Sequence, residues 1–211
     1  MDKTIIFIFQ FIVLIFSVMV HEISHGFTAE KLGDKTARDA GRLTLNPLKH
    51  IDPFGSVILP LLLYVLNTSI LFGWAKPVPY NPNNLKNPKR GGALIALAGP
   101  ASNFLIAFIF GLLVRTGISS GNSVEDPLLL MFQIIVYVNV LLGVFNLVPI
   151  PPLDGSKVLF GFLPSRIISP NVMAFLEQNG MIILVFFMFF GFTLISPVIG
   201  FLFRAFTGIS F

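Results

Sequence analysis

The stretch TIIFIFQFIVLIFSVMVHEISHG, residues 4–26, decides how the rest of the chain is read. Gln10 and Ser17 are the only polar residues between Thr4 and His21. Continued through Gly26, a helix here is about 34 Å long, enough to cross the roughly 30 Å hydrocarbon core of a bilayer. A cleaved leader fits less well, because the apolar run exceeds the roughly 7 to 15 residues of such segments and no small-residue cleavage site follows. Composition agrees with a membrane protein: of 211 residues, 55% are hydrophobic and 11% charged, against roughly 25% charged in soluble domains. The absence of Cys excludes disulfide scaffolds, thiolate metal sites and a cysteine nucleophile. The 24 Phe residues read as lipid contact. The 14 Lys and Arg are scattered between apolar runs and make no basic stripe, which argues against nucleic acid as a partner. Walker A, dinucleotide-binding and repeat signals are lacking.

Working outward, further spans are expected at about 91–114, 127–148 and 181–203, with Pro197 breaking or kinking the last. The fold class is therefore an all-α membrane protein, a polytopic helical bundle of about four to five spans. Residues 1–211 form a single membrane-embedded domain. The run Phe54–Trp74, broken by Gly55, Pro60, Asn67 and Thr68, sets the topology. If it crosses, seven Lys and Arg fall on each side; if it dips in and returns, eleven of the 14 fall on one side. The second outcome is the asymmetry of the positive-inside rule. Residues 54–74 are accordingly read as re-entrant or interfacial, which implies a cavity, since non-helical backbone at membrane depth must be satisfied by protein or water. The chain is expected in the cell membrane with its N-terminus outside and His21 to His25 near the cytoplasmic face. The stretch Arg166–Gln178 carries no site signal and suits an interfacial helix.

Within the decisive stretch, His21-Glu22-Ile23-Ser24-His25 has chemistry-bearing spacing. Positions i and i+4 share a helix face, so both imidazoles reach one metal ion. Glu22 lies about 100° round the helix from His21, beside the metal and free to take a proton from water there. The plainer alternative is a set of interfacial polar residues; ionisable groups at membrane depth are costly and by default functional. A hydrolytic zinc site needs a third ligand and an open position. His50, Asp52 and Asp154 are candidates. Asp154 is preferred, because Asn146-Leu147-Val148-Pro149-Ile150-Pro151-Pro152-Leu153-Asp154-Gly155 closes a span on the same side as His25. Its prolines break the helix just before the carboxylate, and Gly155 lets the chain turn after it. An ordinary loop aspartate is the alternative.

These residues, with Gly99-Pro100-Ala101-Ser102-Asn103 between them, occur in an order that resembles the site-2 protease family of intramembrane zinc metalloproteases. The resemblance implies one Zn2+ held by His21, His25 and Asp154, Glu22 as general base, and cleavage within or near a transmembrane segment of a membrane-protein substrate. It also raises a role for Asn103 and Asn146 in holding the substrate backbone or the developing oxyanion. The chain is short for a member with a PDZ domain, so the compact form is expected.

Gly92, Ala96, Gly99, Asn103, Ala107 and Gly111 form a stripe of small residues at spacings of three or four, suited to close helix packing, with Asn103 able to hydrogen-bond across the interface. A membrane helix hides its peptide bonds until it unwinds. Gly41–Asn46 and Trp74–Tyr80 are candidate edges for an unwound substrate, giving a possible short β-hairpin near the site. Two rival functions share these residues: a membrane metal-ion transporter, and an inactive scaffold of the same fold. Oligomeric state carries no sequence signal.

Overall fold

Helix α1, Lys3–Lys31, opens on Asp2, whose carboxylate accepts from the Thr4 amide at 3.0 Å. It ends where Gly33 takes a left-handed φ of 108° and the Asp34 amide bonds back to the Ala29 carbonyl at 2.9 Å. The HExxH sequence is thus followed by more than another helical turn. A short helix α2, Thr36–Asp39, leads into a loop. A π-helical turn, Pro53–Ile58, then runs into α3, Leu59–Val65. The long helices α4, Pro88–Ser119, and α5, Pro127–Asn146, follow, then the short α6, Asp154–Phe162. Helix α7, Pro170–Phe186, continues through a π turn, Phe187–Gly191, into α8, Phe192–Thr207. These elements come from a computed structural model that describes residues 2–66, 73–164 and 169–209.

Among the described residues, four helical stretches are long and apolar enough to cross a membrane: Lys3–Lys31, Pro88–Ser119, Pro127–Asn146 and Asn171–Thr207. Their core lies where α4, α5 and α8 meet, with Ala107, Val136 and Val140 at 0% exposure against Ile199 and Phe203. The small stripe makes this approach possible. A side chain at Gly111 would strike Phe206, and one at Gly143 would strike Phe104. Outward faces are apolar instead: Phe189 and Leu194 are 79% and 75% exposed, a surface suited to hydrocarbon.

The chain leaves α1 and enters α4 at one end of the bundle, since His25 pairs with the Ile95 carbonyl in the second turn of α4. At the other end of α4, Arg115 donates to the Phe206 and Ala205 carbonyls at 2.9 and 2.7 Å, so α4 and α8 finish together. Between α1 and α4 the 54–74 run has neighbouring ends. The Trp74 amide donates to the Gly55 carbonyl at 3.2 Å, and Ser56 Oγ donates to the Trp74 carbonyl at 2.7 Å. Residues 67–72 of that run, including Asn67 and Thr68, lie outside the described residues, as do 166–168 of the Arg166–Gln178 stretch.

Two expectations are corrected. No β-hairpin forms among the described residues: Gly41–Asn46 and Trp74–Tyr80 approach only through isolated bonds. Arg42 donates to the Lys76 carbonyl at 2.7 Å, and the Lys76 amide to His50 O at 2.8 Å. Pro77 and Pro79 have no amide to donate, and the Val78 amide is taken by Glu22, so no ladder is available. The last span does not break at Pro197, which lies inside α8; the irregularity is the π turn upstream. The neighbouring turns round the site are fastened by Asp34. This buried carboxylate accepts from Thr36 Oγ1 at 2.5 Å, Asn84 Nδ2 at 2.7 Å and the Asn81 amide at 2.7 Å.

Candidate metal centre

His21 and His25 project from one face of α1 with ring centroids 4.6 Å apart and planes at 86°. Each ring is fixed through Nδ1. His21 Nδ1 donates to Asn103 Oδ1 at 2.6 Å, and His25 Nδ1 donates to the Ile95 carbonyl at 2.6 Å. A carbonyl oxygen can only accept, so His25 carries its proton on Nδ1. Asn103 presents its oxygen to His21 because its amide nitrogen faces Asn139 Oδ1 at 3.0 Å and Ser17 O at 3.4 Å. Asn139 in turn donates to Ser17 Oγ at 2.9 Å. Both imidazoles therefore turn an Nε2 lone pair inward.

A third lone pair meets them there. Asp154 Oδ2 lies 3.0 Å from His21 Nε2 and 3.1 Å from His25 Nε2. Three such ligand atoms, all within 4.8 Å of one another, form a group able to hold a metal ion. With Nδ1 engaged on each ring, the two Nε2 atoms and the Asp154 carboxylate oxygen converge where one cation could be shared among them. Two imidazole nitrogens and a carboxylate oxygen are a fitting donor set for zinc.

Local sequence explains the convergence. Helix α5 ends at Asn146, the proline-rich turn follows, and Asp154 is the first residue of α6. Gly155 serves a different need from the one its position in the sequence suggests. It is helical, and a side chain there would collide with the Leu147 and Val148 carbonyls, so glycine lets α6 seat against the end of α5. Gly99 does the same opposite: any side chain would strike both imidazoles. Pro100, one residue on, withholds the amide that would pair with the Ala96 carbonyl, loosening α4 at the turn where Ile95 serves His25.

A cleft with room of about 160 Å³ for water-sized groups opens on this centre. Its walls include Glu22, Val78, Asn146 and Lys157. Glu22 accepts from the Val78 amide at 2.8 Å through Oε2. Asn146 lines the cleft and donates to Leu142 O at 3.0 Å. Asn103 lies elsewhere: fully buried behind His21, its polar atoms are engaged within the bundle. His50 and Asp52 are not in the metal group. His50 Nε2 donates to Thr44 O at 2.9 Å, and Asp52 accepts from the Phe54 and Gly55 amides at 3.1 and 2.7 Å. Asn139, Val78 and Ile95 carry site geometry that the sequence reading missed. Asn139, a lone amide in an apolar helix, had a usable signal; a backbone amide or carbonyl has none.

The fold and site together define a membrane-embedded protein with a buried His-His-Asp metal-binding group. Residues 113–187 match the model of Peptidase family M50. The chain is 41% identical over 171 residues to "Putative zinc metalloprotease YwhC" of Bacillus subtilis, covering 79% of this chain and 72% of that protein. It is 33% identical over 147 residues to "Putative zinc metalloprotease Rip2" of Mycolicibacterium smegmatis, covering 68% and 52%. With "Zinc metalloprotease MJ0392" of Methanocaldococcus jannaschii it shares 27% over 209 residues, 90% of this chain and 50% of that one. It thus spans about half the length of the latter two relatives. No solved structure matches it significantly. The chain belongs to peptidase family M50, the site-2 protease family of zinc metalloproteases.

Proposed function

We propose that this protein hydrolyses a peptide bond within or near a transmembrane segment of a membrane-protein substrate. One zinc ion would be held by His21, His25 and Asp154. The observation that carries the reading is the meeting of those three ligand atoms at 3.0 to 3.1 Å on the wall of a cleft shared with Glu22. Bound zinc supplies a Lewis acid that makes water acidic enough to lose a proton near neutral pH.

The chain's own groups do the rest. Glu22 is the general base. Val78 holds Oε2, and the other carboxylate oxygen takes the proton of the attacking water and returns it to the departing amine nitrogen. Asn146, on the cleft wall, is placed to hold the substrate carbonyl as charge develops on it. Asn103 acts as a positioning residue, fixing the tautomer and plane of the His21 ring. The extended segment Trp74–Tyr80, which reaches the cleft at Pro77 and Val78, offers an unwound substrate a parallel course rather than a formed edge strand.

The whole chain reads as one membrane-embedded domain in which 54–74 is re-entrant. Support comes from the neighbouring ends of that run and from the α1 to α4 pairing at one end of the bundle. Together with the positive-charge bias, this supports a reading with the N-terminus outside and the cleft near the cytoplasmic face.

The test is zinc-loaded Glu22→Gln protein assayed beside wild type. Retained stoichiometric zinc with cleavage reduced at least about 100-fold is expected. Undiminished cleavage would remove Glu22 from the mechanism, and zinc flux across vesicles without cleavage would favour transport.

A further inference from the structure

On the far wall of the cleft stands a cation that the hydrolytic reading does not use. Lys157 follows Asp154 by three residues on α6, so both point to the same side of that helix. It is exposed to the cleft, and its Nζ lies 5.7 Å from the centroid of the Tyr80 ring. The ring is a fixed platform, packed against the cluster of Ala29, Leu85 and Ile95.

Charge makes the position informative. Lys157 sits in the first turn of α6, where a cation is disfavoured by the helix dipole. The carboxylates nearby are engaged, Asp154 by the two histidines and Glu22 by Val78. Among the described residues no carboxylate pairs with Lys157. An aromatic face on one side leaves the ammonium donors free toward the cleft. Among the described residues that line the cleft, Lys157 is the one Lys or Arg side chain.

We infer that Lys157, braced on Tyr80, forms a carboxylate-binding subsite at the mouth of the metal cleft. The inference rests on the peptidase reading above. The carboxylate has two possible sources: an acidic side chain of the substrate at a fixed distance from the scissile bond, or the α-carboxylate newly made by hydrolysis.

The full-length zinc-loaded protein in detergent micelles is given unfolded β-casein as probe, and every cleaved bond is read by mass spectrometry. Wild type, Lys157→Met and Lys157→Glu are compared, with zinc content measured in each. If the substrate side chain is bound, Asp and Glu are enriched about fivefold over Asn and Gln at one subsite of the wild type. The enrichment disappears in Lys157→Met and passes to Lys and Arg in Lys157→Glu. If the product carboxylate is bound, cleavage sites are unchanged. A casein peptide ending at the cleaved bond then inhibits wild type about fivefold better as free acid than as amide, and Lys157→Met abolishes the difference. Should Lys157→Glu lose zinc, the Met variant decides alone. Identical site distributions together with equal inhibition by acid and amide would overturn the inference while leaving the peptidase reading intact. A zinc-loaded wild type that cuts no bond spared by Glu22→Gln would overturn both.

Discussion

His21 Nδ1 donates to Asn103 Oδ1 at 2.6 Å, joining two residues 82 positions apart in a fully buried contact. Asn103 is itself locked by Asn139 and Ser17, so one face of the metal group is held by a polar chain linking α1, α4 and α5. Replacing Asn103 by Leu removes the acceptor and frees the ring to rotate or change tautomer. Zinc affinity is expected to fall about 10- to 100-fold, with turnover falling alongside. Competition with a zinc chelator measures it; unchanged affinity would show that the contact does not orient the ligand.

Asp154 contributes the carboxylate that two imidazoles face. Asp154→Ala leaves only two ligands, and purified protein should hold well under one zinc per chain while keeping its helical circular dichroism. Full zinc retention would require a different third ligand.

Gly99 lets α4 pack against the metal group, because a methyl there meets both imidazoles. Gly99→Ala should displace the rings and cost about 1 to 3 kcal/mol of stability by overpacking. The expected readout is a lower thermal midpoint together with weakened zinc binding. A shift in neither would mean that α1 and α4 separate freely.

Asp34, outside the spans, has its carboxyl held below the usual range. Burial alone would raise it, but hydrogen bonds from Thr36, Asn84 and the Asn81 and Thr36 amides outweigh that. A depressed folded value means that its stabilisation is fully present above the unfolded pKa, about 3.9, and is lost as pH falls through the folded one. The midpoint difference between wild type and Asp34→Asn should therefore be largest at neutral pH and shrink as pH falls below about 4. A pH-independent difference would exclude the linkage.

The chain has no cysteine, so single cysteines report topology cleanly. A cysteine at Leu48 and one at Lys86 should label from the same side, and one at Gly121 from the opposite side. Labelling of positions 48 and 86 from opposite sides would make the 54–74 run a crossing segment.

Much of the site was legible because it is locally encoded. His21, Glu22 and His25 share a helix, and the apolar runs before and after them have the length of a bilayer. Asp154 was legible from its proline-flanked position and from parity. Less legible was Asn103, whose sequence context fits helix packing and substrate contact alike. The hydrogen bonds it makes to the His21 ring and to Asn139 had no sequence signal. The expected hairpin failed for a reason visible only in three dimensions, since the one available amide between Pro77 and Pro79 is spent on Glu22.

By itself, the sequence determined what is set by local spacing and by solvent: apolar helices and an i and i+4 histidine pair. Tertiary structure decided what depends on convergence: which carboxylate faces the histidines, which lone pair each ring turns inward, and which cation shares their cleft. Those relations join α1, α4, α5 and α6 across long sequence separations, and they exist only once glycines 99 and 155 let the backbones close.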